Sequence, residues 1–391
     1  MRSQLPKVVV TPKGVGRLRA GHPWVYRSDL KDVEGASAGL VALADERGKP
    51  LGTALWSPHS EIRARRLAPP GEPVDGAWWR ARVAAALARR AGIADEAYRV
   101  VHAEGDGLPS LILDRYGDVA VAQLLSAGLE AVRGDVVDAI RDVLAPRGLL
   151  LRNDAPVRDR ERLPRAVEPA FGEVPERVVY RSGGLSFAAA LWTGQKTGEF
   201  LDQRENQALV GRLGRGGGRC LDVCAYHGGF ALPLAKAGAA EVVAVDSSAE
   251  ALGVLAENAI RNGIDTVPVV EANAFDWLRA EASGGGRYDV IVLDPPAFAK
   301  DRRSLDRALA GYKELNLRAM LLLAQGGWLF TASCSHHVHR GDFFGMLAGA
   351  AADAGRRLQL VEIRGAAADH TELITVPETG YLKAALLRAV D

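Results

Sequence analysis

The sequence predicts an α/β protein with a Rossmann-like C-terminal domain, preceded by a small N-terminal β-barrel and a central α+β segment. Three observations carry this. Residues 219–247 read RCLDVCAYHGGFALPLAKAGAAEVVAVDS, which is strand, glycine turn, helix, strand and terminal acid, one βαβ unit. Two further apolar runs, 288–293 and 326–332, each end in polar residues, as parallel strands do at the ligand-binding edge of an open sheet. The first 70 residues instead hold short strand-like runs punctuated by Gly and Pro.

The glycine turn discriminates between cofactors. A dinucleotide fingerprint would read GxGxxG, with a helix N-terminus facing a pyrophosphate. Here the loop is Ala225-Tyr226-His227-Gly228-Gly229-Phe230, and Asp222 lies inside the first strand. That is a poor pyrophosphate cradle. Asp246, ending the second strand with Ser247 after it, suits a ribose diol. The loop resembles motif I of the class I S-adenosylmethionine-dependent methyltransferases; a dinucleotide site and a ligand-free α/β core are the other readings.

Composition bounds the rest. A chain of 391 residues holds two or three domains. No apolar run approaches the ~18 to 20 residues of a membrane span, and MRSQLPKVVVTPKG lacks the apolar core of a signal peptide. Three cysteines make no disulfide framework; Cys220 and Cys224 have no second pair to complete a zinc site. A cytoplasmic protein without a bound metal is expected. The net charge of +1 hides an asymmetry: residues 1–70 carry twelve Lys/Arg and six acids, so this segment is +6 and the remainder −5. A basic module on a mildly acidic body suggests a polyanion partner, most simply nucleic acid. The bland alternative is a solvated surface.

In chain order, strands are expected at 8–10, 39–44, 51–56 and 62–67. Arg19, His22, Trp24 and Tyr26 set basic and aromatic residues together, so that phosphates could be met while a ring stacks on a base. Trp24 and Tyr26 could equally be core. Arg63, Arg65 and Arg66 read as the basic face of a strand. The stretch from Arg19 to Tyr26 resembles the start of a PUA domain, an RNA-binding barrel. Residues 68–73 (APPGEP) are a linker by composition. Domains are therefore drawn at 1–70, 75–175 and 176–391. In the central segment a helix is expected from 78, a hairpin turning at 116–118, a helix at 130–144 and a strand at 148–152. Asp106 and Asp114 read as turn acids, and 153–169 as a surface loop. A hairpin at 178–190 turns at Gly183-Gly184. After it comes GQKTGEFLDQREN, a polar loop with Lys196, Thr197, Gly198 and Phe200, and then a helix from about 202 with Asp202 as a plausible N-cap.

This loop resembles the one preceding motif I in bacterial 23S rRNA 5-methylcytosine methyltransferases of the large-subunit methyltransferase I type, which join a PUA domain, a central α+β domain and a Rossmann-like methyltransferase domain. The resemblance spans nearly the whole chain, from HPWVY at His22 through EGDGLP and LDQRE to GYLKAALLR at Gly380. It implies S-adenosylmethionine as cofactor, held by Lys196, Thr197, Gly198, Phe200, Asp222, Ala225, Tyr226, Gly228, Asp246, Ser247, Asn273, Ala274 and Asp294. The family often has Asp where this chain has Asn273; an amide can still bond adenine.

Asp294-Pro295-Pro296-Ala297-Phe298 forms a rigid lip at a strand end, because proline fixes φ. It resembles motif IV of methyltransferases acting on nucleobases, and Lys300 begins a basic stretch beside it. Ser333-Cys334-Ser335 ends the next strand at the same edge. His336, His337 and His339 lack a carboxylate or thiolate set that would make a metal site, and are taken as surface or RNA-facing. Carbon 5 of cytosine is a poor nucleophile, and a thiolate adding at carbon 6 activates it. The resemblance implies Cys334 as that thiolate and Asp294 as the acid holding N3 and the exocyclic amine. The base that removes the carbon-5 proton stays open among Lys196, Glu378 and water. The substrate base must be unpaired or flipped. The expected partner is 23S rRNA or a large-subunit assembly particle, with Arg19, Trp24, Arg63, Arg65, Pro295, Pro296, Phe298 and Lys300 facing RNA; a homodimer is compatible with the sequence. Methylation of a base nitrogen, needing no thiol, and a non-catalytic cofactor-binding assembly factor are the rival readings.

Overall fold

The computed structural model describes residues 5–31, 36–265, 267–299 and 302–391. The chain divides into two compact units and passes between them more than once. The first comprises residues 1–180, 189–201 and 368–379; the second comprises 181–188, 202–367 and 380–391. Among the described residues no helix is long and apolar enough to cross a membrane.

The first unit holds two sheets. One has six strands in the order Trp24–Tyr26, Ile62–Ala68, Pro50–Trp56, Gly39–Asp45, Lys7–Val10, Leu30–Lys31. All the expected N-terminal strands are present, with one parallel pairing, Lys7–Val10 beside Gly39–Asp45. The parallel pairing needs a crossover, and part of it is a helix, Pro12–Arg19, that the Gly-containing sequence concealed. Thr11 caps this helix and Pro12 opens it. Gly14 is required because a Cβ there would lie 2.6 Å from Val10 Cγ1.

The other sheet has five strands, Ala166–Gly172, Gly148–Asn153, Val119–Leu124, Leu111–Tyr116 and Ala97–His102, with helices Gly76–Ala88 and Arg133–Leu144. Trp79, Val83 and Ile140 from the helices and Val100, Leu113 and Leu151 from the strands form one core, all fully buried. The helix expected at 130–144 is present as Arg133–Leu144, and a short helix, Ala127–Glu130, precedes it. Residues 153–169 are not simply a surface loop, since helix Val157–Arg160 and strand Ala166–Gly172 lie there and Arg158 and Glu161 are buried.

Asp106 does close a turn, the 3₁₀ stretch Ala103–Asp106, where it accepts the His102 amide, whereas Asp114 lies inside a strand; neither acid is isolated. Asp106 takes two bonds from the Arg90 guanidinium, at 2.5 and 2.6 Å. Asp114 takes a fork of two 2.8 Å bonds from Arg99. The buried charges are tolerated because each carboxylate meets a planar guanidinium.

The second unit is the Rossmann-like body. Its seven strands are β1 (Arg219–Val223), β2 (Glu241–Asp246), β3 (Val269–Glu271), β4 (Tyr288–Leu293), β5 (Leu323–Ser333), β6 (Leu358–Arg364) and β7 (Lys383–Ala389), in the order β3-β2-β1-β4-β5-β7-β6. All neighbours are parallel except those involving β7. The helices are α1 (Arg204–Gly211), α2 (Ala231–Ala237), α3 (Ala249–Arg261), α4 (Ala274–Ser283), α5 (Leu305–Leu322) and α6 (Arg340–Asp353). Tyr312, Leu315 and Ala319 of α5 and Phe343 of α6 pack with Ile291 and Leu329 of β4 and β5 in a fully buried core. Strand order reverses at β1 and β4, and their C-terminal ends mark the ligand edge.

Asp202 does not cap α1. A 3₁₀ turn, Leu201–Gln203, precedes the helix, whose N-cap residue Gln203 makes no side-chain cap bond. Asp202 is buried and accepts the Tyr381 hydroxyl at 2.5 Å.

Candidate active site

The loop after β1 is a tight crossing of polar backbone. Cys224 and Tyr226 both have positive φ, 65° and 48°, as does Gly228 at 85°. The amides of Cys224 and Ala225 both donate to the Val245 carbonyl, folding the loop over the end of β2. Asp246 fixes the same loop: its Oδ2 accepts the Tyr226 amide and its Oδ1 the Ser248 amide, each at 2.9 Å. A carboxylate offers about four lone-pair sites, so acceptor capacity remains for a ribose diol. Gly228 admits no side chain, since a Cβ would lie 2.9 Å from Leu255 Cγ. Ser247 is exposed just beyond.

Asp222 is fully buried in β1. Its Oδ2 accepts the Ala231 amide at 2.9 Å, while Oδ1 meets no hydrogen-bond partner among the described residues. Burial, with Asp294 and Asp246 nearby, pushes its carboxyl up to about 8 despite the bond from Ala231. An orphaned buried oxygen beside a glycine loop is what a bound polar group would complete. Asn273 caps α4, its Oδ1 accepting the Phe275 amide at 3.0 Å, which leaves its NH₂ as a donor for an adenine. Ala274 opens that helix.

The second half of the edge lies at the ends of β4 and β5. Parallel pairing sets Leu293 opposite Thr331, so Asp294 and the Ser333-Cys334-Ser335 turn leave the sheet side by side. The Asp294 amide also donates to the Val223 carbonyl of β1, at 3.4 Å. Tyr312 of α5 joins the lip to the turn. Its hydroxyl lies 2.8 Å from Ser335 Oγ, donates to the Pro296 carbonyl at 3.3 Å and accepts the Phe298 amide at 3.4 Å. Ser335 Oγ also accepts the Ala299 amide. Phe298 packs against Tyr312 with the rings tilted by 39° and their centres 4.6 Å apart. Asp294, Phe298 and Cys334 are half-buried, Pro295 is buried and Pro296 exposed. Burial pushes the Cys220 thiol up to about 12 and the Cys224 thiol higher still. Both are poor nucleophiles, which leaves Cys334 as the candidate. Lys300 lies outside the described residues.

Lys196, Thr197, Gly198 and Phe200 belong to the first unit. Lys196 Nζ sits 4.6 Å from the Phe200 ring centre. Thr197 is fully buried, and its hydroxyl is committed to Asp114 Oδ2 at 2.6 Å, within 3.4 Å of the Tyr116 hydroxyl. Glu378, one of the open choices for a base, lies 3.3 Å from His22 in the same unit.

The basic face fares unevenly. Arg19 is exposed and Arg63 half-exposed. Trp24 is half-buried, its indole N–H donating to Glu104 Oε1 at 2.8 Å. Arg65 does not face a polyanion. It is buried and bonded to the buried Glu161 at 3.2 Å, because the strand turns it inward where only a carboxylate partner makes its burial tolerable. Sequence reasoning missed Tyr312 and Lys383, and named Ser335 only as a member of the turn. Their partners lie 23 and 48 positions apart, and no local motif signals such pairs.

A seven-stranded sheet of this order, with an acid-anchored glycine loop on β1, defines the S-adenosylmethionine-dependent methyltransferase class, and S-adenosylmethionine is the cofactor. A model of the S-adenosylmethionine-dependent methyltransferase family matches residues 152–388, and a PUA-like domain model matches residues 8–69. The chain belongs to the ribosomal RNA large subunit methyltransferase I family. It is 38% identical over 379 residues to the member from Aeromonas hydrophila, covering 94% of this chain and 95% of that one. The Klebsiella pneumoniae member is 36% identical over 391 residues, covering 97% and 98%. The fold matches a solved S-adenosylmethionine-dependent methyltransferase from Streptococcus mutans, so assigned, with TM-score 0.83 at 19% identity over 98% of this chain and all of that one. A structure assigned as a methyltransferase and solved with SAH matches with TM-score 0.84, 19% identity and the same coverage.

Proposed function

We propose that this protein methylates carbon 5 of a cytosine in 23S ribosomal RNA, with Cys334 as nucleophile and Asp294 as the acid that holds the base. The observation that carries the reading is the shared anchor: Tyr312 ties the Asp-Pro-Pro lip and the cysteine turn into one rigid edge. A nitrogen methyltransferase needs the lip alone, and nothing in its chemistry calls for a thiol fixed beside it.

Asp222, Ala225, Tyr226, Gly228, Asp246, Ser247, Asn273 and Ala274 would hold the cofactor. When bound, S-adenosylmethionine supplies an electrophilic sulfonium methyl. The Cys334 thiolate would add to carbon 6 of the cytosine as the carbon 5–carbon 6 π bond opens, and the electron pair delivered to carbon 5 would take the methyl, the sulfur–methyl bonding pair staying on sulfur to leave S-adenosylhomocysteine. Asp294, protonated once the base is bound, would donate to N3 and accept a hydrogen bond from the exocyclic amine, which fixes the ring. A base then takes the carbon-5 proton, and the electron pair left behind breaks the Cys334–carbon 6 bond. Residues 1–70 serve as the RNA-binding module, 75–175 as the central domain and 176–391 as the methyltransferase domain.

The test is nucleoside mass mapping of 23S rRNA after incubation with labelled S-adenosylmethionine. Wild type should leave label in one 5-methylcytosine, and Cys334→Ser should leave none. Label on a ring or exocyclic nitrogen would overturn the reading.

A further inference from the structure

Lys383 is the first residue of β7, a strand otherwise reading AALLRA, and it is only 3% exposed. It stands in register opposite Ser333, the last residue of β5. Its Nζ donates to the Ser335 carbonyl at 2.6 Å and to the Tyr381 carbonyl at 2.7 Å. The ammonium therefore bonds the main chain of the turn whose middle residue is Cys334. Burying an ammonium in an apolar antiparallel pair is costly. The two bonds tie the first residue of β7 to the turn that follows β5 and bring a positive charge to that turn's main chain.

We propose that Lys383 is a positioning residue for the nucleophile: it fixes the Ser333-Cys334-Ser335 turn and supplies the positive field that keeps Cys334 as a thiolate. The inference rests on the assignment of Cys334 as nucleophile. A charge inside the protein acts over several ångströms far more strongly than in water. Among the described residues, the other titratable groups around the turn give no such help. Tyr312, from α5, is held as a neutral phenol, burial raising it above its ordinary value. The Tyr381 hydroxyl donates to the Asp202 carboxylate. Asp294 closes the neighbouring strand, and its negative charge opposes a thiolate. His336, whose ring lies 5.4 Å from that of Tyr381, and His337 are exposed on the turn, where water screens them. Lys383 offsets the acids from the buried side.

The experiment uses the full-length protein without RNA or cofactor. The rate of iodoacetamide alkylation is measured against pH and read at Cys334 by peptide mass mapping. The wild-type midpoint should fall clearly below the ~8.5 of an ordinary thiol. Lys383→Gln keeps a donor and removes the charge. It should raise the midpoint by about one unit, slowing alkylation on the order of tenfold below both midpoints and leaving the high-pH plateau unchanged. Lys383→Arg should keep the wild-type midpoint. A wild-type midpoint at or above the ordinary thiol value overturns the proposal whatever the variants do. So does a Gln variant whose profile is unshifted, or an Arg variant shifted as far as Gln. Because no methylation is read, failure here is distinct from failure of the proposed reaction, which the labelled-RNA assay reports separately.

Discussion

The Tyr312 hydroxyl and Ser335 Oγ, 2.8 Å apart, join a helix to a strand-end turn and so link two segments that no sequence motif connects. Tyr312 is fully buried, and its hydroxyl also bonds the Pro296 carbonyl and the Phe298 amide of the lip. Tyr312→Phe should fold, with a loss of about 1 kcal/mol from the missing bonds. It should lower kcat more than it raises the KM for S-adenosylmethionine, because the lip and the turn lose register with each other. Steady-state kinetics beside urea denaturation would check both; an unchanged kcat would show that the edge stays rigid without this hydroxyl.

Asp222 makes stability depend on pH. Its folded value, about 8, lies above the ordinary carboxylate value of 3.8, so the native state holds a proton that the unfolded chain releases. Stability contributed by this group is full below pH ~4 and is lost as pH rises through the window to about 8, at up to about 1.4 kcal/mol per unit. Asp222→Asn can still accept the Ala231 amide and does not titrate. In the cofactor-free protein its melting temperature should exceed that of wild type by a margin that grows from pH 5 to pH 8. A margin independent of pH would contradict the assignment.

Arg65 is predicted to matter for folding more than for RNA. Burial alone would raise the Glu161 carboxyl, but Arg65, the Ser60 and Ser57 hydroxyls and the Ala127 amide together hold it below its ordinary value. The pair's stabilisation is therefore present above pH ~4.5 and lost as pH falls through the lower folded value. Arg65→Ala, which strands a buried carboxylate, should cost about 3 to 5 kcal/mol at pH 7 and less at pH 4. Arg19→Ala should leave the melting temperature unchanged and reduce the salt dependence of RNA binding. Equal melting temperatures for wild type and Arg65→Ala would refute the structural role.

Thr197 is expected to act through Asp114. Thr197→Val removes a bond to a charged group, worth about 1.5 to 3 kcal/mol, while Arg99 keeps Asp114 paired. If the loop serves the cofactor, the KM for S-adenosylmethionine should rise in the same variant. A stability loss with unchanged KM would separate the loop's anchoring from any part in binding.

Much of the C-terminal body was legible in the sequence because each piece is local. The βαβ unit at 219–247, the acid closing β2 and the Asp-Pro-Pro lip all declare themselves within a few residues. The helix Pro12–Arg19 was hidden by two glycines, whose helix penalty is overcome by capping and by packing against Val10. Alternation suggested an exposed Arg65, but the strand is covered on both faces at that point, and a distant carboxylate receives it. Asp114 read as a turn residue because its partners, Arg99 and Thr197, lie 15 and 83 positions away. Lys383 carried no signal of its own within the GYLKAALLR stretch, because only the strand register sets it against Ser333.

The central claim is a covalent bond from Cys334 to the substrate base. The most direct measurement uses 23S rRNA transcribed with 5-fluorocytidine, incubated with the protein and S-adenosylmethionine and run on a denaturing gel. Fluorine at carbon 5 cannot leave as a proton does, so the thiolate is not expelled and the adduct persists. The account predicts a protein–RNA band stable to denaturant, absent in Cys334→Ser, with the RNA mass located on the peptide containing Cys334. A band that survives in Cys334→Ser, or methylation of unsubstituted RNA without any trapped adduct, would contradict it.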